Sequence, residues 1–280
     1  MNQPDMEAQL ELEKLFHKNQ LLSRLRQEFS VTEIISYLEV NQIPRDFGLD
    51  LLVQMVIHKR ASMSVLVGLL HRHFTYSSTP ILNLDKGLQA CCEAVQKAAL
   101  VGLVNWDTLS EQFTLAIDVT PNVYAELELY QYPLPMLVEP RQVKTNKDSG
   151  YLTHGGSLIL KGGNHHEDDI CLDHINRVNS TPLTINADTA RMVKNQWKNL
   201  DRQKPDETAQ DYRSRVTAFE KYDRNSREVM EHLYMVSDRF WLTHKYDKRG
   251  RTYCQGYHVD YQGNDWNKAV LEFFEQEVVN

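Results

Sequence analysis

The chain has 280 residues, 41% of them apolar and 25% charged, which is ordinary globular composition and enough for one large domain or two modest ones. A net charge of -7 excludes a molecule that is basic as a whole, so any contact with nucleic acid has to come from a local patch. The four cysteines (Cys91, Cys92, Cys171, Cys254) show no disulfide framework, and no apolar run reaches the roughly 18 residues of a membrane span, so the expectation is a reduced, cytoplasmic protein.

The first part of the chain, to about residue 130, reads as helical. MEAQLELEKLFHKNQLLSRLRQEF (6–29) is dense in helix formers with apolar residues at helical spacing. Thr32 followed by Ile34, Ile35 and Leu38 predicts a second helix, stopped at Ile43-Pro44. A third is expected from Gly48 to Leu70 and a fourth from Leu84 to Leu103. YQYPLPMLVEPRQ (130–142) carries three prolines and reads as extended chain, with strands expected around YLTH (151–154) and SLILK (157–161).

GGNHHEDDICLDH (162–174) gathers His165, His166, Asp168, Asp169, Cys171 and His174, all able to ligate a metal. Adjacent histidines do not readily face one ion, and neither HExxH nor a paired CxxC is present, so a solvated glycine-rich loop is expected, with no metal site. Asn186 is placed to cap a helix whose Ala190, Val193, Trp197 and Leu200 share a face. The stretch 205–242 reads as a long charged helix. Its first part has a thin stripe of Tyr212, Val216 and Phe219, and its second is amphipathic through Val229, Leu233, Val236 and Phe240. A hairpin-like pair of segments comes next, turning at Arg249-Gly250 and again at Gln262-Gly263-Asn264-Asp265. A last helix from Trp266 to Val278 presents Val270, Phe273 and Phe274, which have no evident partner within the chain.

The hairpin is where chemistry concentrates. From Arg239 to Arg251 there are five cations (Arg239, Lys245, Lys248, Arg249, Arg251) and one acid, Asp247. Asp247 is spaced to fix an arginine rotamer, Gly250 permits a close backbone approach, and Arg251 offers a planar fork for phosphate. Tyr253 shares a strand face with Arg251 and is placed to pack on a sugar or base.

Asp247, Gly250, Arg251 and Tyr253 (D-x-x-G-R-x-Y), then Gln262-Gly263-Asn264-Asp265 and Lys268, resemble the start of the palm in the single-subunit phage and mitochondrial type of DNA-dependent RNA polymerase. PMLVEPRQ (135–142) and HINRVNSTPLTIN (174–186) are similar to that family's upstream order, so the resemblance covers 130–280; before it, only QLELE (9–13) is alike. The spacing from Tyr253 to Gln262 differs from the family's, which implies a differently shaped loop.

The resemblance implies a mainly α fold with small β elements: a reduced N-terminal domain (1–185), thumb-like helices (186–240) and the first strands of a palm (241–280). It implies that Asp247, Arg249, Gly250, Arg251 and Tyr253 hold template and RNA:DNA hybrid, that Gln262 to Asp265 and Lys268 support them, and that Arg213, Arg215, Lys221, Arg224 and Arg227 wrap the hybrid. The family's two catalytic aspartates lie beyond the Q-G-N-D pattern, so no catalytic residue is expected in this chain. The chain looks like the small, N-terminal subunit of a polymerase split between two polypeptides in a phage-infected host cytoplasm. A second chain would then supply the rest of palm and fingers and bind Mg2+, with Val270, Phe273 and Phe274 at the heterodimer interface. An accessory protein that binds single-stranded DNA or opens promoters is a further expected partner. Two other readings stay open: a non-catalytic nucleic-acid-binding regulator, and a hydrolytic metal centre at 165–174.

Overall fold

The computed structural model describes residues 3–16, 18–75 and 84–275. The protein is mainly α-helical with small β elements, as expected, and it forms two compact units, Lys18–Leu127 and Met1–His17 with Glu128–Asn280. These boundaries differ from the expected division at 185, because residues 128–185 pack with the segments C-terminal to them.

Helix α1 (Gln3–Phe16) belongs to the second unit. The first unit begins with α2 (Lys18–Phe29), so the stretch expected to be helical over 6–29 is helical on both sides of residue 17 and contributes to both units. Then come α3 (Thr32–Val40), α4 (Arg45–His58), strand β1 (Arg60–Ala61), α5 (Met63–Leu70), α6 (Arg72–Thr75) and α7 (Leu84–Leu100). The helix expected over 48–70 is broken where Lys59 takes φ +60° and its N–H closes α4 on the Met55 carbonyl. α4 is buried on every side from Phe47 to Val56, so its sequence shows little amphipathic period: it is the axis of this unit's core. Strands β2 (Val104–Asp107) and β3 (Gln112–Leu115) form a hairpin, and β3 also pairs with β1. This sheet was not expected. Its strands are too short for alternation to show, and α8 (Pro121–Tyr130) then carries the chain onward.

In the second unit, 131–171 runs without strands. The strands expected at 151–154 and 157–161 are absent; only isolated bridges form, Ile159 with Tyr246 and Met136 with Trp241. Extended chain here is held by side chains. Glu13 of α1 is fully buried, and its carboxylate accepts from the backbone N–H of Leu152 and Thr153 (both 2.8 Å) and from the Thr153 hydroxyl (2.6 Å).

Helix α9 (Leu172–Asn179) leads to β4 (Leu183–Ile185) and α10 (Ala187–Met192). Asn186 caps α10 as expected, accepting from Thr189 N at 2.8 Å, but the helix ends at Met192, so Trp197 and Leu200 are not on it. α11 (Ala209–Val236) is 28 residues long, about 42 Å at 1.5 Å per residue. Its first half is not bare: Trp197 packs edge-on to Phe219 (5.4 Å), and the Tyr212 hydroxyl donates to the Leu200 carbonyl. Its second half buries Val229, Met230 and Leu233 against Phe240, Leu242, Trp266 and Val270.

β5 (His244–Tyr246) and β6 (Thr252–Cys254) form the expected hairpin, and α12 (Asp265–Val270) runs directly into β7 (Leu271–Phe273), which pairs antiparallel with β4. The helix expected to reach Val278 therefore ends at Val270; residues 276–280 lie outside the described residues. Val270 is fully buried in this chain's own core, which corrects its expected place at a partner interface. No helix among the described residues is long and apolar enough to cross a membrane.

Candidate nucleic-acid interface

β5 and β6 align His244 with Cys254, Lys245 with Tyr253 and Tyr246 with Thr252. The alternation sends His244 and Tyr246 into the protein and leaves Lys245 and Tyr253 on the other face. At the turn, Gly250 N donates to Asp247 O (3.0 Å) and Asp247 N donates to Arg251 O (2.9 Å). Gly250 takes φ +77° in open space, so backbone conformation rather than crowding calls for glycine here.

Asp247 organises this turn. One carboxylate oxygen accepts from the backbone N–H of Arg249 (2.9 Å) and of Arg251 (3.0 Å). The other accepts from Arg251 Nε (2.8 Å), lies 2.7 Å from Arg251 Nη2 as an ion pair, and has Arg249 Nε farther off at 3.4 Å. Desolvation pushes the Asp247 carboxyl up, but the Arg251 backbone N–H and guanidinium outweigh it and hold the group below the usual range. Arg251 remains 53% exposed, with its guanidinium 5.4 Å from the centre of the Tyr253 ring. Its Nε side is therefore held by Asp247, and the half-exposed guanidinium lies between Tyr253 and exposed Lys248 and Arg249.

The second turn supports the first. The Gln262 side-chain amide imitates a peptide group: its Oε1 accepts from Cys254 N (2.8 Å) and its Nε2 donates to Thr252 O (3.0 Å). It extends the hairpin like a third strand one residue long. Between them the loop folds tightly, and a Cβ on Gly256 would lie 2.1 Å from the Val259 carbonyl oxygen. Asn264 caps α12, accepting from Asn267 N (2.9 Å), and donates to Asn195 Oδ1 (2.7 Å). Asn195 donates in turn to Asp223 of α11 (2.8 Å), which also accepts from Arg227 Nε (3.0 Å). Buried Asn267 donates to the Tyr222 hydroxyl (2.6 Å), and Arg227 lies over the Trp266 ring. Gln262, Gly263 and Asn264 are thus brought to the hairpin's base, whereas Asp265 and Lys268 are exposed and 3.7 Å apart.

Beneath the hairpin, His244 is buried between Asn179 Oδ1 (2.9 Å) and the Tyr261 hydroxyl (2.8 Å). Burial first, and His174 nearby second, lower its pKa to about 4, so it is neutral at pH 7. With Asn179 Oδ1 as acceptor, Nδ1 carries the proton and Nε2 accepts from Tyr261.

The five cations expected along α11 divide. Arg215 is structural: its guanidinium donates to both Glu207 oxygens (2.7 and 2.8 Å) and to the Asn199 and Arg202 carbonyls, and it draws the Glu207 pKa down to about 2. Lys221 pairs with Glu128 (2.6 Å), Arg224 lies 3.9 Å from the same carboxylate, and Arg227 pairs with Asp223. Arg213 is exposed, with no ion pair among the described residues. Phe273 is 65% exposed, and Phe274 lies under the Arg239 guanidinium at 4.0 Å.

Sequence reasoning missed Asn195, Asp223, Tyr222 and Asn267. They come from distant segments, and no spacing signal links them. At 162–174, Asn146 ties the loop down by donating to the His166 and Asp168 carbonyls, and His165 bonds Ser157 and Glu167. Among the described residues no three His, Cys, Asp or Glu side chains converge in a way that would hold a metal ion. Compared with known proteins, the chain matches no family model and no curated protein.

Proposed function

We propose that this chain is a subunit of a DNA-directed RNA polymerase that transcribes phage DNA, holding template and RNA:DNA hybrid beside an active centre supplied by a second chain. The observation that carries the reading is the Asp247–Arg251 clamp at a glycine turn, which presets a half-exposed guanidinium beside Tyr253 and exposed Lys248 and Arg249. A preset fork gives up little side-chain entropy on meeting phosphate, and Tyr253 next to it supplies a ring for a base or sugar. Lys245, desolvated on the same face of the hairpin, adds charge with little exposure.

The Gln262–Lys268 segment serves as the brace of this grip, through the Gln262 amide and the Asn264–Asn195–Asp223 chain. Of the thumb-like cations, Arg213 is the one free to meet a hybrid, while Arg215 keeps the 199–207 loop on α11. Mg2+ supplies the two-metal chemistry of such enzymes when bound. Asp247 does not fit that duty, since Arg249 and Arg251 already occupy both its oxygens, so the ions belong to carboxylates of the second chain.

Photocrosslinking from position 248 in the assembled enzyme tests the reading. Crosslinks to template or nascent RNA are expected; crosslinks to protein alone would count against it.

A second reading, a regulator that binds nucleic acid without taking part in synthesis, rests on the same exposed cations. It requires strong, salt-sensitive binding by the isolated chain, which the net charge of -7 opposes.

A further inference from the structure

β7 is an edge strand with an unused hydrogen-bonding side. Phe274 N donates to Pro182 O (3.0 Å) and Asn186 N donates to Val270 O (2.9 Å), bracketing the Glu272–Thr184 pair between them. The even-numbered residues 270, 272 and 274 therefore spend their backbone groups on the β4 side. Leu271 and Phe273 turn theirs outward, and neither has a backbone partner there among the described residues.

The strand closes one side of a continuous antiparallel run, in which Met136 bridges Trp241, Phe240 bridges Leu183, and β4 pairs with β7. Beside the open edge lies a groove of about 910 Å³, lined by Leu183, Leu242, Leu271 and Phe273, with Val178 and Tyr261 also on its walls. Phe273 stands 65% exposed at its lip. An open edge next to an apolar trough is the arrangement that takes an added strand: main-chain bonds hold it, and alternate side chains fill the trough.

We propose that β7 receives an extended segment of a second, different polypeptide, apolar at alternate positions and carrying a Lys or Arg opposite Glu272. The charges decide the occupant. Glu272, which already accepts from Asn186 Nδ2 (2.6 Å), and exposed Glu275 line the groove against one cation there, Arg177, so acid exceeds base. If a second copy paired β7 with β7, the register using both outward residues would set Glu272 directly against Glu272, and like charges facing across a strand pair repel. A basic, apolar strand from another chain meets the same edge with complementary charge. The inference rests on the reading that a second chain completes this protein, and it assigns that chain's docking mode.

Residue-resolved amide hydrogen exchange tests it, on the full-length chain alone and in the one-to-one complex purified from its native source. The Leu271 and Phe273 amides should exchange at least tenfold more slowly in the complex. Phe273→Pro removes an outward N–H that β4 does not use, so β4–β7 pairing survives while affinity for the second chain falls tenfold or more. Phe273→Val, which keeps the N–H, should restore most of that affinity. Equal exchange in both samples, unchanged affinity of Phe273→Pro, self-association of this chain through β7, or the absence of any complex would each overturn the proposal. Amides protected in a complex that makes no RNA would remove the polymerase reading and leave strand addition standing. RNA synthesis with unprotected amides would do the reverse.

Discussion

Asp247 and Arg251 are joined by three hydrogen bonds: Arg251 Nε (2.8 Å) and the Arg251 backbone N–H (3.0 Å) donate to the carboxylate, and the Asp247 N–H donates to the Arg251 carbonyl (2.9 Å), with Nη2 in ion-pair contact at 2.7 Å. The carboxylate therefore sets both the shape of the turn and the direction of the side chain. Arg251→Ala is expected to lower RNA synthesis by the assembled enzyme about tenfold or more, in line with the loss of one charge-assisted phosphate contact of roughly 1.5–3 kcal/mol. Complex formation should be unchanged. Arg251→Lys should not rescue, because an ammonium is a point charge without the planar fork that Asp247 orients. Elongation rates at template saturation, together with sedimentation of the complex, check both parts.

Gly250→Ala should destabilise the hairpin by about 1–2 kcal/mol, the cost of forcing an L side chain to positive φ, with no contribution from a clash. Gly250→Asn should cost less, since Asn tolerates that region better. Urea unfolding of the three proteins gives the ranking; equal stability of Ala and Gly would contradict the turn geometry.

Gln262→Leu keeps the bulk of the side chain but removes an acceptor from Cys254 N and a donor to Thr252 O. A loss of about 1–2 kcal/mol is expected for the two bonds, less where water replaces them at this exposed edge. The Cys254 amide should lose exchange protection before those of α11, and unchanged protection there would remove the brace role.

Stability should depend on pH through His244. Its folded pKa of about 4 lies below the ordinary value of 6.5, so between those values the unfolded chain binds more protons than the folded one. Stability is then full above about pH 6.5 and falls as pH drops toward 4, by roughly 3 kcal/mol at most from this group. His244→Asn should flatten that part of the profile, as read from urea midpoints across pH 4 to 7.

Along α11, Arg213→Ala and Arg215→Ala should separate binding from folding. The first removes an exposed cation and should reduce the salt dependence of template binding by about one ion with little change in stability. The second leaves Glu207 and two carbonyls without their donor and should release the 199–207 loop to proteolysis. Similar behaviour of the two variants would erase the distinction.

Features that depend on neighbours in the chain were legible in the sequence. The β5–β6 hairpin and its Asp247-to-Arg251 bond, the Asn186 cap and the long helix α11 all arise from residues a few positions apart. Features decided at long range were not legible. Apolar Val270, Phe273 and Phe274 resembled one helix face, yet pairing of β7 with β4 ends the helix at Val270 and buries that residue in this chain's own core. Likewise, Arg215 reads as one more cation on a charged helix until Glu207 and the 199–202 carbonyls fold back onto it.

The most direct measurement is template-directed ribonucleotide incorporation by this chain purified alone and in one-to-one complex with the second chain. The account predicts no incorporation by the chain alone and synthesis by the complex, weakened by Arg251→Ala. Silence in both samples, with salt-sensitive nucleic-acid binding by the isolated chain, would contradict it and leave the regulator reading in its place.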